Sequence, residues 1–231
     1  MNASSLPPGD PSELRLCVSC TDDLGGTSRA DTMERWDVTV LHEEAEVGAM
    51  AFYKVYLDRG MNAFQAMEEE SEELYGTAQA LLDPATGNFT EEAGEWLPYV
   101  GSALLVMDRV TLNRQWRGHG FGPILATEAI HRLMAGCRAV ACSPGVTDLS
   151  DDQLKDRAEW DRVNTQIARG WQSIGFRPYQ DNIYLLSPAS LELEERRGML
   201  RMRLVELAAV WRLTQAQDHY TSPRLTASSV S

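Results

Sequence analysis

The clearest alternation of apolar and polar positions lies between Leu104 and Gly136. Leu104–Leu112 is an apolar run rich in Leu and Val, and its length predicts a central strand. The pattern breaks at Gln115–Gly122, which holds Gly118, Gly120 and Gly122. It resumes at Ile124, Leu125, Ala129, Ile130 and Leu133 with helical spacing, and Pro123 falls in the first turn, where its missing N–H costs nothing. Strand, glycine-rich turn and amphipathic helix follow one another directly.

Upstream, Glu13–Cys20 alternates with Leu14, Leu16 and Val18 on one side and predicts a first strand; residues 1–12 read as a loose tail and Thr21–Thr32 as a loop. Arg35–His42 and Val47–Leu57 flank a short acidic turn and predict a β-hairpin. The period then changes. Ala63, Phe64, Met67 and Leu74 predict one side of a helix over Asn62–Leu74, with five glutamates on the rest and Thr77–Leu82 as its continuation. Asp83–Asn88 carries turn chemistry, and Trp96–Val100 leads into the central strand.

Downstream, Arg138–Cys142 predicts a short buried strand, Asp151 to about Gly170 a charged helix, and Arg177–Leu186 a strand or hairpin. Leu191–Leu213 predicts a further helix with Leu204, Leu207, Ala208 and Trp211 on one face. That face must pack on its own domain, on a second subunit as in a homodimer, or on another partner. The boundaries predicted are a main domain over 13–186, a helical extension over 187–216, and a disordered end over 217–231.

Composition narrows the classes. At 231 residues with 43% apolar content the chain can bury a proper core. No apolar run approaches the ~18 residues of a membrane span. The beginning, MNASSLPPGDPSE, has no signal-peptide pattern, so a cytoplasmic protein is the simplest expectation. Net charge is −13, but residues 1–100 hold 20 acids against 5 bases while the remainder is close to neutral. The acidic half disfavours non-specific nucleic-acid binding; it serves plain solubility, or attracts a cationic substrate. The glutamates of 68–73 are either a solvated helix face or a cation-attracting rim near an acceptor. Cys17 and Cys20 have metal-ligand spacing, but Cys137 and Cys142 are five positions apart and no His pair completes a zinc site, so no metal is expected.

The glycine loop is an anion-binding device, because glycines let the backbone approach closely while free N–H groups at a helix start point at a phosphate. Its spacing is neither the dinucleotide pattern nor that of a nucleoside-triphosphate loop. Arg117-Gly118-His119-Gly120-Phe121-Gly122, and equally Gln115-Trp116-Arg117-Gly118-His119-Gly120, resemble the pyrophosphate loop Arg/Gln-x-x-Gly-x-Gly/Ala of the Gcn5-related N-acetyltransferase (GNAT) superfamily. A second likeness follows about 42 residues later. There Asn164, Trp171, Gly175 and Phe176 occupy the Asn, Tyr, Gly and Phe places of that family's Asn-x-x-Ala-x-x-x-Tyr-x-x-x-Gly-Phe, with Ile167 at the Ala place. The resemblance spans roughly residues 14–186.

It implies an α/β fold with a mixed, mostly antiparallel central sheet flanked by helices, here with an added C-terminal helix. It implies acetyl-CoA as co-substrate, its pantetheine arm in a gap between Leu104–Leu112 and Arg138–Cys142. Val110, Thr111 and Leu112 are expected along the arm, Arg117, Gly118, His119, Gly120, Phe121 and Gly122 around the pyrophosphate, and Asn164 and Trp171 as further cofactor contacts. The activity implied is direct transfer of an acetyl group to an amine of a small cationic molecule or a peptide.

Strict alternation places Leu104, Val106, Asp108, Val110 and Leu112 on one face, so Asp108 is a carboxylate among apolar neighbours, where desolvation raises its pKa towards useful basicity. It is the candidate general base; an ion pair with a buried Arg or a cap at a strand bulge is the alternative. The family's late-helix Tyr is Trp171 here, and indole is no useful acid. Either another Tyr serves, with Tyr184 the candidate acid and Tyr179 nearby, or no acid is needed and both tyrosines are structural packing. Two other readings stand beside this one: a GNAT-fold module that binds acyl-CoA without turnover, and a toxin acting on aminoacyl-tRNA, which the acidic chain disfavours.

Overall fold

A computed structural model describes residues 6–21, 28–145 and 157–221. Seven strands form one sheet in the order β1-β2-β3-β4-β5-β7-β6. They are β1 (Leu14–Cys20), β2 (Met33–His42), β3 (Ala45–Tyr56), β4 (Ala103–Leu112), β5 (Cys137–Cys142), β6 (Arg177–Pro178) and β7 (Tyr184–Leu186). Every neighbouring pair is antiparallel except β4 with β5, which is parallel and needs a helical crossover. That crossover is α5 (Phe121–Leu133). The mixed, mostly antiparallel sheet with helices on both faces is the architecture expected.

Alternation along the strands builds two cores. On one face Val38, Val40, Met50, Phe52, Leu105 and Val140 pack with Phe121, Ile124, Ala129 and Ile130 of α5. Trp171 of α6 (Arg157–Ser173) and Leu193 of α7 (Glu192–Thr221) join that cluster. On the other face Tyr53, Val55, Leu104, Val106 and Ala141 pack against α2 (Ala63–Glu70), α3 (Glu72–Leu81) and α4 (Glu91–Trp96).

Several elements differ from expectation. The single helix over 62–74 is two, broken at Ser71, whose extended backbone starts α3 and whose hydroxyl accepts the Leu74 N–H at 3.2 Å. The glutamate run masks this break, since it suits either helix. Trp96 ends α4 rather than leading a strand; Thr90 caps it by accepting the Ala93 N–H at 3.2 Å. In the predicted loop 21–32, Ser28–Thr32 forms the short helix α1, and the buried Thr32 hydroxyl accepts the Met61 N–H at 2.7 Å. Residues 22–27 of that loop, and 151–156 of the charged helix, lie outside the described residues.

Residues 7–12 are more tied down than their composition implies. Trp211 donates its indole N–H to the Pro7 carbonyl at 3.0 Å, and Arg212 pairs with Asp10 at 2.6 Å. Residues 7–12, expected as a loose tail, are thus held along α7, which itself runs eight residues beyond its predicted end. The α7 face of Leu204, Leu207 and Ala208 packs on its own domain. A second, exposed set holds Met199, Met202, Val205, Val210 and Leu213. Glu128 on α5 fastens α7 by paired hydrogen bonds from Arg197 and Arg201 at 2.6–3.0 Å. Among the described residues, no helix is long and apolar enough to cross a membrane.

Candidate functional site

The strand β4 is paired on both sides only as far as Met107, which stands opposite Phe52 on β3 and Cys142 on β5. There β5 ends. Still held by Gly48–Ala51 of β3, β4 continues to Leu112. Among the described residues its other edge, from Asp108 to Leu112, has no strand beside it. The two central strands therefore open into a fork, with unused backbone groups along one side.

Asp108 sits where the fork begins. Ala51 pairs with Arg109 and Phe52 with Met107, so Asp108 is the extra residue of a β-bulge. This corrects the expected single face. Leu104 and Val106 belong to one core, while Val110 and Leu112 pack with Ala103, Leu105 and Met107 on the other, because the bulge reverses the alternation. Burial pushes the Asp108 carboxyl above its ordinary value. Arg109 and Arg35 oppose this and the like charge of Glu73 adds to it. Among the described residues no hydrogen bond or ion pair holds that carboxylate.

Glu73 and Arg35 act on Asp108 from distant parts of the sequence, and Tyr53 lies under Arg35, whose guanidinium carbon is 5.9 Å from its ring. Tyr53 faces the same core as Val106 and donates its hydroxyl to Glu70 at 3.1 Å. Glu70 also pairs closely with Arg29, and Arg35 pairs with Asp37 at 3.1 Å. Of the glutamate run, then, Glu70 is half-buried against Tyr53, while the exposed Glu73 lies near enough for its charge to act on Asp108. Strand alternation put Arg35 and Tyr53 on a face; only the register brings them to the bulge.

At the open end of the fork the chain passes through a 3-10 turn, Arg114–Trp116, into the glycine loop. Trp116 is buried and its ring lies 5.1 Å from that of His42 and 5.8 Å from that of Phe121, so it pins the loop to the sheet. Gly118 and Gly120 both have φ of +83°, a left-handed conformation that L side chains rarely adopt. A Cβ built on Gly118, Gly120 or Gly122 meets nothing within 4 Å. The loop therefore presents bare backbone to open space at the start of α5, with Gly120 as its N-cap. Arg117 donates Nε–H to the Leu112 carbonyl at 2.6 Å, closing the loop on the end of β4.

The expected cofactor residues fall into three groups. Val110 and Thr111 line the open edge of β4, while the Leu112 carbonyl is already taken by Arg117. Gly118, Gly120 and Gly122 offer open backbone; Phe121 contributes only its backbone, since its ring is in the core, and the ring of half-buried His119 lies 5.7 Å from it. On α6, Asn164 Oδ1 is buried without a hydrogen-bond partner, a group that calls for a donor. Trp171, expected as a cofactor contact, is a core residue at 9% exposure. An open backbone cradle and an orphaned amide oxygen fit a phosphate-bearing, amide-containing ligand.

Tyr184 lies opposite Cys142, which lies opposite Met107, so two strand spacings, about 10 Å of backbone, separate it from β4. It is half-buried on the same face as Met107. Cys17 and Cys20 are both exposed on β1, and among the described residues no group of three or more His, Cys, Asp or Glu is placed to hold a metal ion.

Comparison with family models gave no match, and neither did comparison with curated protein sequences. Solved structures do resemble the chain. A crystal structure of AtaTR bound with AcCoA matches 80% of this chain and 99% of its own at 12% identity, with a TM-score of 0.40. AtaT complexed with acetyl-methionyl-tRNAfMet matches 78% and 99% at 12% identity, with a TM-score of 0.38.

Proposed function

We propose that the chain is an N-acetyltransferase that takes its acetyl group from acetyl-CoA. The observation that carries this is the fork: five residues of β4 stripped of their β5 partner and ending at a glycine loop that opens onto empty space. The free edge at Val110 and Thr111 suits an extended amide-bearing arm, which adds to a sheet as a strand would. The N–H groups from Gly118 to Gly122 suit its pyrophosphate. Asn164 Oδ1 takes an N–H from the arm.

In this reading the thioester carbonyl lies beside the bulge. Asp108, with its raised pKa, removes a proton from an acceptor amine held against that carbonyl, and a backbone N–H of β4 stabilises the oxyanion. The amine forms the new amide bond as the C–S bond breaks, and the thiolate leaves with a proton from Tyr184 or from water. Glu70 and Glu73 near the bulge favour a small cationic amine or a basic peptide as acceptor, and the acidic surface works against nucleic acid. A cytoplasmic location, where acetyl-CoA is made and used, suits such an enzyme.

A second reading, a module that binds acyl-CoA without turnover, is favoured by one observation. The position where the resemblance expects a Tyr holds Trp171, and its ring is in the core. Calorimetric titration with acetyl-CoA, beside Gly120→Glu, tests binding: the added carboxylate fills and charges the cradle. Wild-type binding in the micromolar range, about −8 kcal/mol, lost in the variant, supports the site. Free-thiol release with a panel of polyamines, basic peptides and aminoacyl-tRNA then separates the readings. Turnover with any amine supports the enzyme and names its acceptor; binding without turnover supports the module.

A further inference from the structure

We propose that the end of the sheet remote from the fork carries a second binding site, for a small aromatic carboxylate. A cavity of about 220 Å³ lies there, where α4, the turn after β7 and the start of α7 meet. Trp96–Pro98 lead to the beginning of β4 while the fork lies along its end, so roughly 25 Å of strand separates the two. Nothing in this site depends on the acetyl-CoA reading.

The cavity is apolar at its floor and polar at its mouth. Leu97, Leu185 and Leu193 are each at most 6% exposed and form the floor. Trp96 stands at the rim half exposed, its ring held at 5.5 Å from that of Tyr179 in an edge-on contact, so an aromatic wall is fixed before any ligand arrives. Arg196 and the exposed Arg177 line the same space. Arg196 is oriented by bonds to the Ser173 carbonyl at 3.1 Å and to Glu192 at 3.2 Å. Arg177 has neither hydrogen bond nor ion pair among the described residues, and the hydroxyls of Ser187 and Ser190, which also line the cavity, donate to no protein group there.

Two arginines line this cavity beside one glutamate, Glu192, whose carboxylate is already paired with Arg196. The Arg177 side chain and two serine hydroxyls without protein partners among the described residues, beside an apolar floor, suit an anion with a flat apolar body. The volume far exceeds what a single water needs, and falls short of a drug-sized pocket, which sets the ligand at about one ring with a short acid arm. The carboxylate meets Arg177 and the serine hydroxyls, and the ring lies against Trp96 and the leucines.

Ligand-observed NMR titration of the full chain with phenylacetate is the test. Phenylacetamide serves as the neutral arm of the same shape and acetate as the arm without the ring. For a ligand this small, binding on the order of millimolar is expected, with both control compounds about tenfold weaker. Arg177→Gln weakens phenylacetate by about tenfold, and Ser190→Leu, which fills the cavity, removes binding. Both variants keep the wild-type melting temperature and the wild-type response to acetyl-CoA. The proposal is overturned if phenylacetate does not bind, if phenylacetamide binds equally well, or if both variants bind as the wild type does.

Discussion

Met107 and Cys142 are the last residues of β4 and β5 that pair, and the residue after Met107 is the bulged Asp108. The bulge and the end of pairing fall at one point, so the carboxylate stands where the sheet opens. Asp108→Asn keeps the volume and removes the base. The expected result is a fall in turnover of about 10²–10⁴-fold with acetyl-CoA affinity unchanged, measured by thiol release and calorimetry. Stability moves the other way. A carboxyl whose folded pKa is raised stabilises the fold below its unfolded pKa, and this is lost as pH rises through the folded value. Denaturation of Asp108→Asn should show equal or greater stability than wild type at neutral pH. A loss there would show that Asp108 holds the bulge.

The electrostatic neighbours of Asp108 predict a pair of opposite shifts. Glu73 raises its pKa and Arg35 lowers it. Glu73→Gln should therefore move the acid limb of the kcat/KM profile to lower pH, and Arg35→Gln should move it to higher pH. Equal profiles for both variants would remove Asp108 from the role of base.

The sequence disclosed the parts of the site that obey local rules. Gly118 and Gly120 adopt positive φ in a turn, as a glycine cluster between strand and helix predicts. The desolvated Asp108 was legible from its apolar neighbours. What escaped was non-local. A bulge at Asp108 leaves no mark in an alternating apolar sequence, so Val110 and Leu112 were assigned to the wrong face. Trp171 reads as a contact from motif position, but its burial depends on a core assembled from distant strands and helices. Pro7 and Asp10 look like tail residues because their partners, Trp211 and Arg212, lie some two hundred positions away. The Ser71 break has a local signal, since Ser is a favoured N-cap and Glu72 and Glu73 suit a first helical turn, but the glutamate run fits a longer helix equally well.

Gly175 was singled out by motif position, and its geometry gives the reason a glycine stands there. Its φ is +110°, and an added Cβ would come within 2.9 Å of Leu186 Cδ1 and 3.6 Å of Arg196 Cδ. Gly175→Ala therefore combines backbone strain with a clash against β7. A loss of about 1–3 kcal/mol in urea denaturation is expected. The same shift should disturb Arg196 and weaken phenylacetate binding before it affects acetyl-CoA, since the strain lies at the remote end of the sheet. Unchanged stability would mean that β7 yields freely to the added methyl.

The α5–α7 contact makes a prediction about pH. Burial alone would raise the Glu128 carboxyl, yet hydrogen bonds and charge from Arg201 and Arg197 bring it down to about 2. A depressed folded pKa contributes stability above the unfolded value, near the ordinary carboxylate range, and that contribution fades as pH falls towards the folded one. Glu128→Gln should thus cost about 1–2 kcal/mol at neutral pH, discounted because Arg201 is largely in solvent. The difference from wild type should close between about pH 4.5 and pH 2. Arg197 is only 15% exposed, so the variant also leaves a nearly buried guanidinium without its carboxylate partner. Guanidinium denaturation across that pH range checks the sign, and Arg197→Met in the Glu128→Gln background should recover part of the loss. A constant gap down to pH 2 would assign the effect to packing rather than charge.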